Sequence, residues 1–294
     1  MAGDKEEIGK QALRHVVSLA LDEDLGSVGD ITSKAIFAPD DAGAARVVTR
    51  DACVISGLAA GAEVCLQVDP DLIWLPLVED GQAITAAEVA RLEGGIISIL
   101  AAERTILNFL SRLSGIASLT ARYVDAVKGT PTRIAATRKT SPGLRVLEKL
   151  AVVDGGGEPH RSGLYDAVLI KDNHIAAAGG VGAAIEAVRR SLGGKVSDHD
   201  IEVEVDDIAQ LEEALATGAI GQVLLDNMTT AEVRACHELA VWRTASGERK
   251  PVIEVSGGIN LENVRAYAEA GADVISVGAL TRSAPGIDFS LEMA

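Results

Sequence analysis

Between residues 130 and 280 short apolar runs recur about every twenty to thirty residues, with amphipathic stretches between them. The runs are 133–137, 167–170, 201–205, 222–225, 252–255 and 273–277. The stretches at roughly 181–191, 207–217, 230–240 and 261–270 carry apolar residues at helical spacing. Such alternation predicts βα units, a parallel sheet and right-handed crossovers. About six units suit either a doubly wound sheet or an incomplete barrel.

Earlier in the chain the texture differs. Ile8, Leu13, Val16, Val17 and Leu19 predict an amphipathic helix over 6–20, and the acidic run 22–24 reads as a solvated turn. From 44 to about 90 the pattern is that of strands, at 45–49, 53–57 and 72–77, with turns at 79–81 and 93–95. Helical stretches at 59–67 and 98–128 interleave with them. In the second, Ile99, Ile106, Leu110 and Leu113 form a packing stripe that leaves Arg104, Asn108 and Ser111 on another side. Residues 1–115 are expected to form a small α+β domain, and 116–280 the repeated βα domain.

The residues just past each strand favour the barrel. Arg138 and Lys139, Lys171, Asp226, Ser256-Gly257-Gly258 and Gly278-Ala279 each come after a strand, and Glu204 stands near the end of its own. Barrels build their sites from the carboxyl ends of several strands, whereas a doubly wound sheet localises its site at one switch point. In Ile201-Glu202-Val203-Glu204-Val205 the two glutamates share a face, expected to be the barrel interior. Buried carboxylates need a cation or a hydrogen-bonding partner. An exposed edge strand with a wet face is the alternative.

Charge singles out one segment. The 294-residue chain has a formal net charge of −16, yet Arg138, Lys139, His160, Arg161, Lys171 and His174 fall within 37 positions of glycine-rich sequence (174 − 138 + 1). An acidic protein with that concentration of bases is expected to bind a small polyanion there, a solvated basic loop being the alternative. Aromatic residues at 3% and the acidic balance argue against nucleic acid as a partner. Three cysteines without metal-type spacing suit a reducing compartment. With no signal peptide and no long apolar window, a cytoplasmic protein without membrane association is expected.

The glycines after the last two strands suit a phosphate, because they let backbone N–H groups approach an anion. Ser256-Gly257-Gly258 is expected to open a helix. Glu204 and Asp226, at the ends of consecutive strands, suit a divalent cation such as Mg²⁺ held through water and substrate oxygens. A charge pair with Lys139 or Lys171 is the alternative. His174 could serve as a base or as a structural hydrogen-bonder. No Ser or Cys nucleophile stands beside a base, so positioning and charge stabilisation are expected. Phosphoribosyl transfer fits this set, as does a Schiff-base aldolase with Lys171 as nucleophile.

An ordered set of motifs narrows the choice. Thr137-Arg138-Lys139-Thr140-Ser141-Pro142-Gly143-Leu144-Arg145, Gly155-Gly156-Gly157 with His160-Arg161-Ser162-Gly163-Leu164, Lys171-Asp172-Asn173-His174-Ile175, Glu202-Val203-Glu204-Val205, Leu225-Asp226-Asn227-Met228 and Ser256-Gly257-Gly258-Ile259 occur in sequence. With Gly29-Asp30-Ile31-Thr32 and Ala102-Glu103-Arg104-Thr105, this pattern covers nearly the whole chain and resembles the quinolinate phosphoribosyltransferases. The resemblance implies an α/β fold: an N-terminal α/β sandwich domain, with a C-terminal tail (281–294) expected to pack back on it, and an open, incomplete α/β barrel of the type II phosphoribosyltransferase kind. It implies Mg²⁺ as cofactor and a homodimer, or an oligomer of dimers. It also implies transfer from phosphoribosyl pyrophosphate to quinolinate, giving nicotinate mononucleotide, pyrophosphate and CO₂ in NAD biosynthesis.

By the same resemblance Arg104 (from a partner subunit), Arg138, His160 and Arg161 hold the quinolinate carboxylates. Lys139 and Lys171 contact substrate and phosphates, Glu204 and Asp226 take the ribose hydroxyls and the metal, and Ser256, Gly257, Gly258, Gly278 and Ala279 hold the 5′-phosphate. Lys139, Lys171, Glu204 and Asp226 are the expected catalytic set. Two positions depart from the pattern. Ala136 stands where the family usually has Asp, and Pro159 where it usually has Asn. Both lie beside the acceptor side, so a paralogue with the same donor and another acceptor, of the group associated with molybdenum transport, is the alternative.

Overall fold

A computed structural model describes residues 2–193, 201–218, 220–245 and 250–294. The chain divides into two compact units. The first comprises residues up to Ala121, Thr140–Gly157 and Leu280–Ala294; the second comprises Arg122–Lys139 and Glu158–Ala279. None of the described helices is long and apolar enough to cross a membrane.

The first unit opens with α1 (Ala2–Leu25) and α2 (Ile31–Ile36). The acidic run 22–24 lies in the last turn of α1, not in a solvated turn. Asp30 of the Gly-Asp-Ile-Thr motif caps α2, its carboxylate accepting from Thr32 N and Ser33 N at 2.9 and 3.0 Å. Next come β1 (Ala42–Val54), α3 (Leu58–Val68), β2 (Ile73–Pro76), β3 (Ala83–Gly95) and α4 (Ile96–Ala126). The two strands expected at 45–49 and 53–57 are one, β1, which absorbs two register shifts against β3.

The second unit begins its sheet with β4 (Arg133–Ala135). The chain then returns to the first unit for α5 (Arg145–Asp154). Beyond it come β5 (Val168–Ile170), α6 (Asp172–Ala178), α7 (Val181–Leu192), β6 (Ile201–Val205), α8 (Ile208–Ala216) and β7 (Gln222–Asp226). They continue into α9 (Thr230–Ala245), β8 (Val252–Ser256), α10 (Val264–Glu269), β9 (Val274–Ser276), the single turn α11 (Ala279–Arg282) and β10 (Phe289–Met293). β10 pairs antiparallel with β1, completing a sheet of order β10-β1-β3-β2 in the first unit.

The second unit's sheet is parallel, with order β4-β9-β8-β7-β6-β5. From β5 to β9 the strands advance in one direction without the reversal of a doubly wound sheet, and the first strand lies beside the last. The opening lies between β4 and β5. Alternation then sorts the side chains. Val203, Val205, Val223, Leu225, Ile253, Val255 and Ile275 are buried on one face. The other carries Glu202, Glu204, Leu224, Glu254, Asp226, Ser256 and Ser276, with Glu204 opposite Leu224 and Glu254, and Asp226 opposite Ser256 and Ser276. The apolar face drives closure, at about 1.5–3 kcal/mol for each fully buried aliphatic side chain.

Candidate active site

The carboxyl ends of the parallel strands hold most of the expected residues. Lys139 leaves β4 with its N–H on Thr137 Oγ1 (3.1 Å), and its side chain lies over Gly278, where an added Cβ would meet Lys139 Cδ at 3.2 Å. Asp226 ends β7 in register with Ser256, and Asn227 donates to it from Nδ2 (2.6 Å). Gly257 backs onto that pair. Its φ of +96° suits glycine, and a Cβ there would sit 2.2 Å from Asn227 Oδ1. A Cβ at Gly258 would meet nothing, so its backbone faces open space. Contrary to expectation the Ser256-Gly257-Gly258 loop does not open a helix directly. Asn260 and Asn263 make a side-chain-bonded turn, and α10 starts only at Val264.

Lys171 and Glu204 form an ion pair through Nζ and Oε2. The lysine side chain is 41% exposed and the glutamate nearly buried, so one end of the pair opens to solvent. This is the charge pair considered as an alternative to metal binding at Glu204. His174 makes the structural hydrogen bond: its Nδ1 accepts from the Lys171 N–H at 3.0 Å and caps α6.

Glu158 starts the segment carrying His160 and Arg161. Its backbone bridges β4, donating to Ile134 O and accepting from Ala136 N at 2.8 Å each, while Arg133 Nη1 grips both its carboxylate oxygens. The turn after Arg161 is closed by Asp166, which accepts from Ser162 N (2.6 Å) and Gly163 N (3.1 Å). Burial, and after it the neighbouring Arg138 charge, draw the Arg161 guanidinium below its ordinary value, while Glu202, Asp166 and Glu204 act the other way. Two guanidiniums beside each other in a half-buried place favour an incoming anion.

His160 takes a different direction. Its φ is +51°, and its ring points to the interior face of the sheet. Nε2 lies 2.9 Å from Glu254 Oε2 and 3.8 Å from Glu202 Oε2. Gln222 Nε2 donates to both acids, and Ser276 Oγ donates to Glu254. Burial, then the Glu254 charge, push the Glu202 carboxyl up to about 8. Glu254 moves the other way: burial alone would raise it, but the His160 and Ser276 hydrogen bonds and the His160 charge hold it below the carboxylate range. The two acids therefore titrate as a pair, Glu202 pushed up and Glu254 held down. His160 and Arg161 line a cavity of about 710 Å³ whose wall also contains Arg133, Gln222 and Val274, the first residues of β4, β7 and β9. His160 and Arg161 thus reach below the carboxyl ends where the other expected residues gather. Ala136 is fully buried, Pro159 is exposed, and neither lines that cavity.

Arg104 belongs to the first unit, on the exposed side of α4 with Glu103 at 3.8 Å, while Ile99, Ile106, Leu110 and Leu113 are buried as their spacing predicts. Sequence reasoning missed a network in this unit. Arg112 binds Glu148 Oε1 through Nη2 (2.7 Å) and Nε (3.1 Å), and donates to the Thr281 carbonyl. Glu148, fully buried, accepts from Ser141 N at 3.1 Å. The segments leaving Lys139 and Ala279 are thereby tied to one guanidinium. Sequence reasoning also missed Glu254, Gln222 and Ser276. The parity argument applied to Glu202 and Glu204 picks out Glu254 as well, a lone acid within Val252-Ile253-Glu254-Val255.

Comparison with known proteins matches the two parts of the chain separately. Residues 116–292 fit the family model described as quinolinate phosphoribosyl transferase, C-terminal domain, and residues 30–114 fit the N-terminal domain of the same family. The nicotinate-nucleotide pyrophosphorylase (carboxylating) of Mycobacterium leprae is 39% identical over 289 residues, 96% of this chain and 97% of that protein. A quinolinate phosphoribosyltransferase (decarboxylating) of Nicotiana tabacum, named as mitochondrial, is 37% identical across 96% of this chain and 82% of its own length. Among solved structures, the nicotinate-nucleotide pyrophosphorylase of Francisella tularensis superposes with a TM-score of 0.88 at 37% identity, covering 97% of this chain and 96% of that one.

Proposed function

Because the chain belongs to the quinolinate phosphoribosyltransferase family, we propose that it transfers the phosphoribosyl group of phosphoribosyl pyrophosphate to quinolinate, releasing pyrophosphate and CO₂ and forming nicotinate mononucleotide for NAD biosynthesis. The observation that carries the reading is the convergence, in one unit, of Lys139 over Gly278, the Gly257-Gly258 pair after β8, two adjacent arginines, and carboxylates at the ends of β6 and β7.

In this reading the Gly257-Gly258 and Gly278-Ala279 backbones and Ser256 take the 5′-phosphate. Lys139 and Lys171 face the substrate's negative charge. Arg138 and Arg161 grip the quinolinate carboxylates, aligning the ring nitrogen with C1 of the ribose. The nitrogen lone pair forms the N–C1 bond as the C1–O bond to pyrophosphate breaks with its electron pair on oxygen. Glu204 and Asp226 stabilise the positive charge on the ribose. The adjacent carboxylate then departs as CO₂, leaving its bonding electron pair on the ring carbon, where the neighbouring quaternised nitrogen stabilises it by its positive charge until a proton fills that carbon.

Mg²⁺ takes oxygen ligands, keeps several waters and uses few carboxylates. Asp226 fits it, its hydrogen-bond donor among the described residues being its neighbour Asn227. Glu204, committed to Lys171, fits the ribose hydroxyls better. When bound, the metal would neutralise the leaving pyrophosphate. The reading carries with it a homodimer, or an oligomer of dimers, in which Arg104 is supplied across a two-fold interface. Three buried free cysteines suit the reducing cytoplasm.

Relatives named for quinolinate or nicotinate nucleotide, 37% and 39% identical over 96% of the chain, speak for quinolinate over another acceptor. A Schiff-base lysine wants a desolvated, neutral amine, whereas Lys171 is ion-paired and substantially exposed. A pyrophosphate-release assay with phosphoribosyl pyrophosphate against a panel of pyridine carboxylates tests the reading. Release with quinolinate is expected; release with another pyridine or azole acid and none with quinolinate overturns it.

A further inference from the structure

The reaction as proposed makes no use of Glu254, yet it is among the most completely enclosed acids in the protein. It is 1% exposed at the middle of β8, on the interior face of the sheet. Ser276 Oγ donates to one carboxylate oxygen; Gln222 Nε2 and His160 Nε2 converge on the other. An ionised carboxylate only accepts, so His160 Nε2 carries a proton there. Glu202 completes the cage from β6, tied to Gln222 at 3.2 Å.

His160 holds a left-handed backbone conformation, which in a non-glycine residue persists only where its surroundings fix it. The next residue is Arg161, half-buried beside Arg138. A flexible loop would let those like charges separate, so keeping Arg161 beside Arg138 requires an anchor on the interior side. The residue that reaches inward is His160, and its partner there is Glu254.

We propose that Glu254 is a positioning residue for acceptor recognition: by fixing the His160 imidazole it holds the adjoining Arg161 guanidinium beside Arg138, the pair that grips the acceptor's carboxylates. This rests on the functional reading above. Glu254 touches no substrate. Gln222 and Ser276, from the strands on either side, hold the carboxylate at its fixed angle, and Glu202 on β6 is tied to Gln222 beyond them. Lys139 leaves from β4, whereas Gly257 and Gly258 follow β8 itself and Gly278 follows β9, so the donor KM is the control that separates an effect through His160 from one through the strand.

The test compares wild type, Glu254→Gln, His160→Ala and the double variant, with quinolinate affinity measured by calorimetry and KM measured for each substrate. Glu254→Gln keeps the shape and removes the charge. It is expected to weaken quinolinate binding and raise its KM by roughly tenfold to thirtyfold, with the donor KM within about twofold. In the His160→Ala background the same change should cost at most about twofold, because its route of action is gone. Ser276→Ala, which withdraws one donor from the carboxylate, should move quinolinate affinity the same way by a smaller factor. Equal losses for both substrates, or full additivity in the double variant, overturn the proposal in favour of a role in general stability. The ligand atoms of His160, Glu202 and Glu254 lie within 4.8 Å of one another. Quinolinate affinity that is lost to a chelator and restored by a divalent cation, with no donor present, would therefore overturn it in favour of a metal. Wild-type protein that does not bind quinolinate contradicts the functional reading itself, a result distinct from a variant that binds as well as wild type.

Discussion

Two base–carboxylate pairs stand in the second unit, each with an acid from the interior face of the parallel sheet, and they differ in their surroundings. Lys171–Glu204 lies at a strand end, and its lysine is open to solvent. His160–Glu254 lies deeper, with both side chains mostly enclosed and the carboxylate further bound by Ser276 and Gln222. An exposed pair is worth little to stability and can exchange its partner for a substrate oxygen. A fully bonded buried network is costly to disturb and fixes geometry. The open pair therefore suits chemistry, and the closed pair suits holding the residue that recognises the acceptor.

The sharpest way to break this contrast is at the open pair. Lys171→Ala and Glu204→Ala should each lower kcat by about 10² to 10³-fold, the cost of removing one preorganised charge-stabilising group, while thermal stability stays near wild type. A comparable loss of stability in either variant would make the open pair structural. Next comes Arg112, a closed pair without a place in the chemistry. Arg112→Ala strands the buried Glu148 carboxylate and should destabilise the protein by about 3 kcal/mol, read from denaturant midpoints. An unchanged midpoint would mean that Glu148 finds another partner.

A smaller effect concerns Arg104. If it serves a partner's site, Arg104→Ala and Lys171→Ala are each nearly inactive, and refolding them together restores up to about a quarter of wild-type activity, since about half the dimers are mixed and each has one intact site. No recovery in a mixture shown to contain mixed dimers would confine Arg104 to its own chain. The smallest effect is on pH dependence in the first unit. Burial raises both Asp80 and Asp154. The Leu58 N–H lowers the first and the Ser56 hydroxyl the second, each less than burial raises it, and the Asp80 charge adds to the rise at Asp154. A carboxyl raised on folding contributes stability that is present below its unfolded value and lost as pH rises through its folded value. Tm should therefore fall across that window, and Asp154→Asn should flatten the fall by about 2 °C. A Tm that rises through the window would contradict the assignment.

The six strands of the second unit were legible because short parallel strands covered by helices are runs of apolar residues, and strand parity marked Glu202 and Glu204 as interior. The first unit was less so. Glu93-Gly94-Gly95 reads as a turn, yet it ends β3; Gly94 is glycine because a Cβ there would meet Leu72 Cδ2 at 2.7 Å. A close approach and a turn leave the same mark in a sequence. The bases 138–174 stood out against the acidic whole, but nothing local says that His160 turns inward while Arg161 faces Arg138. That depends on Glu254, 94 positions along the chain. The Arg112–Glu148 tie is likewise a tertiary contact between two helices, invisible to periodicity.

The central contrast is tested most directly by measuring quinolinate affinity and maximal turnover side by side in Glu204→Ala and Glu254→Gln. The account predicts opposite profiles: Glu204→Ala keeps quinolinate affinity and loses turnover, whereas Glu254→Gln loses affinity and keeps most of its turnover at saturating acceptor. The same profile in both variants would contradict it.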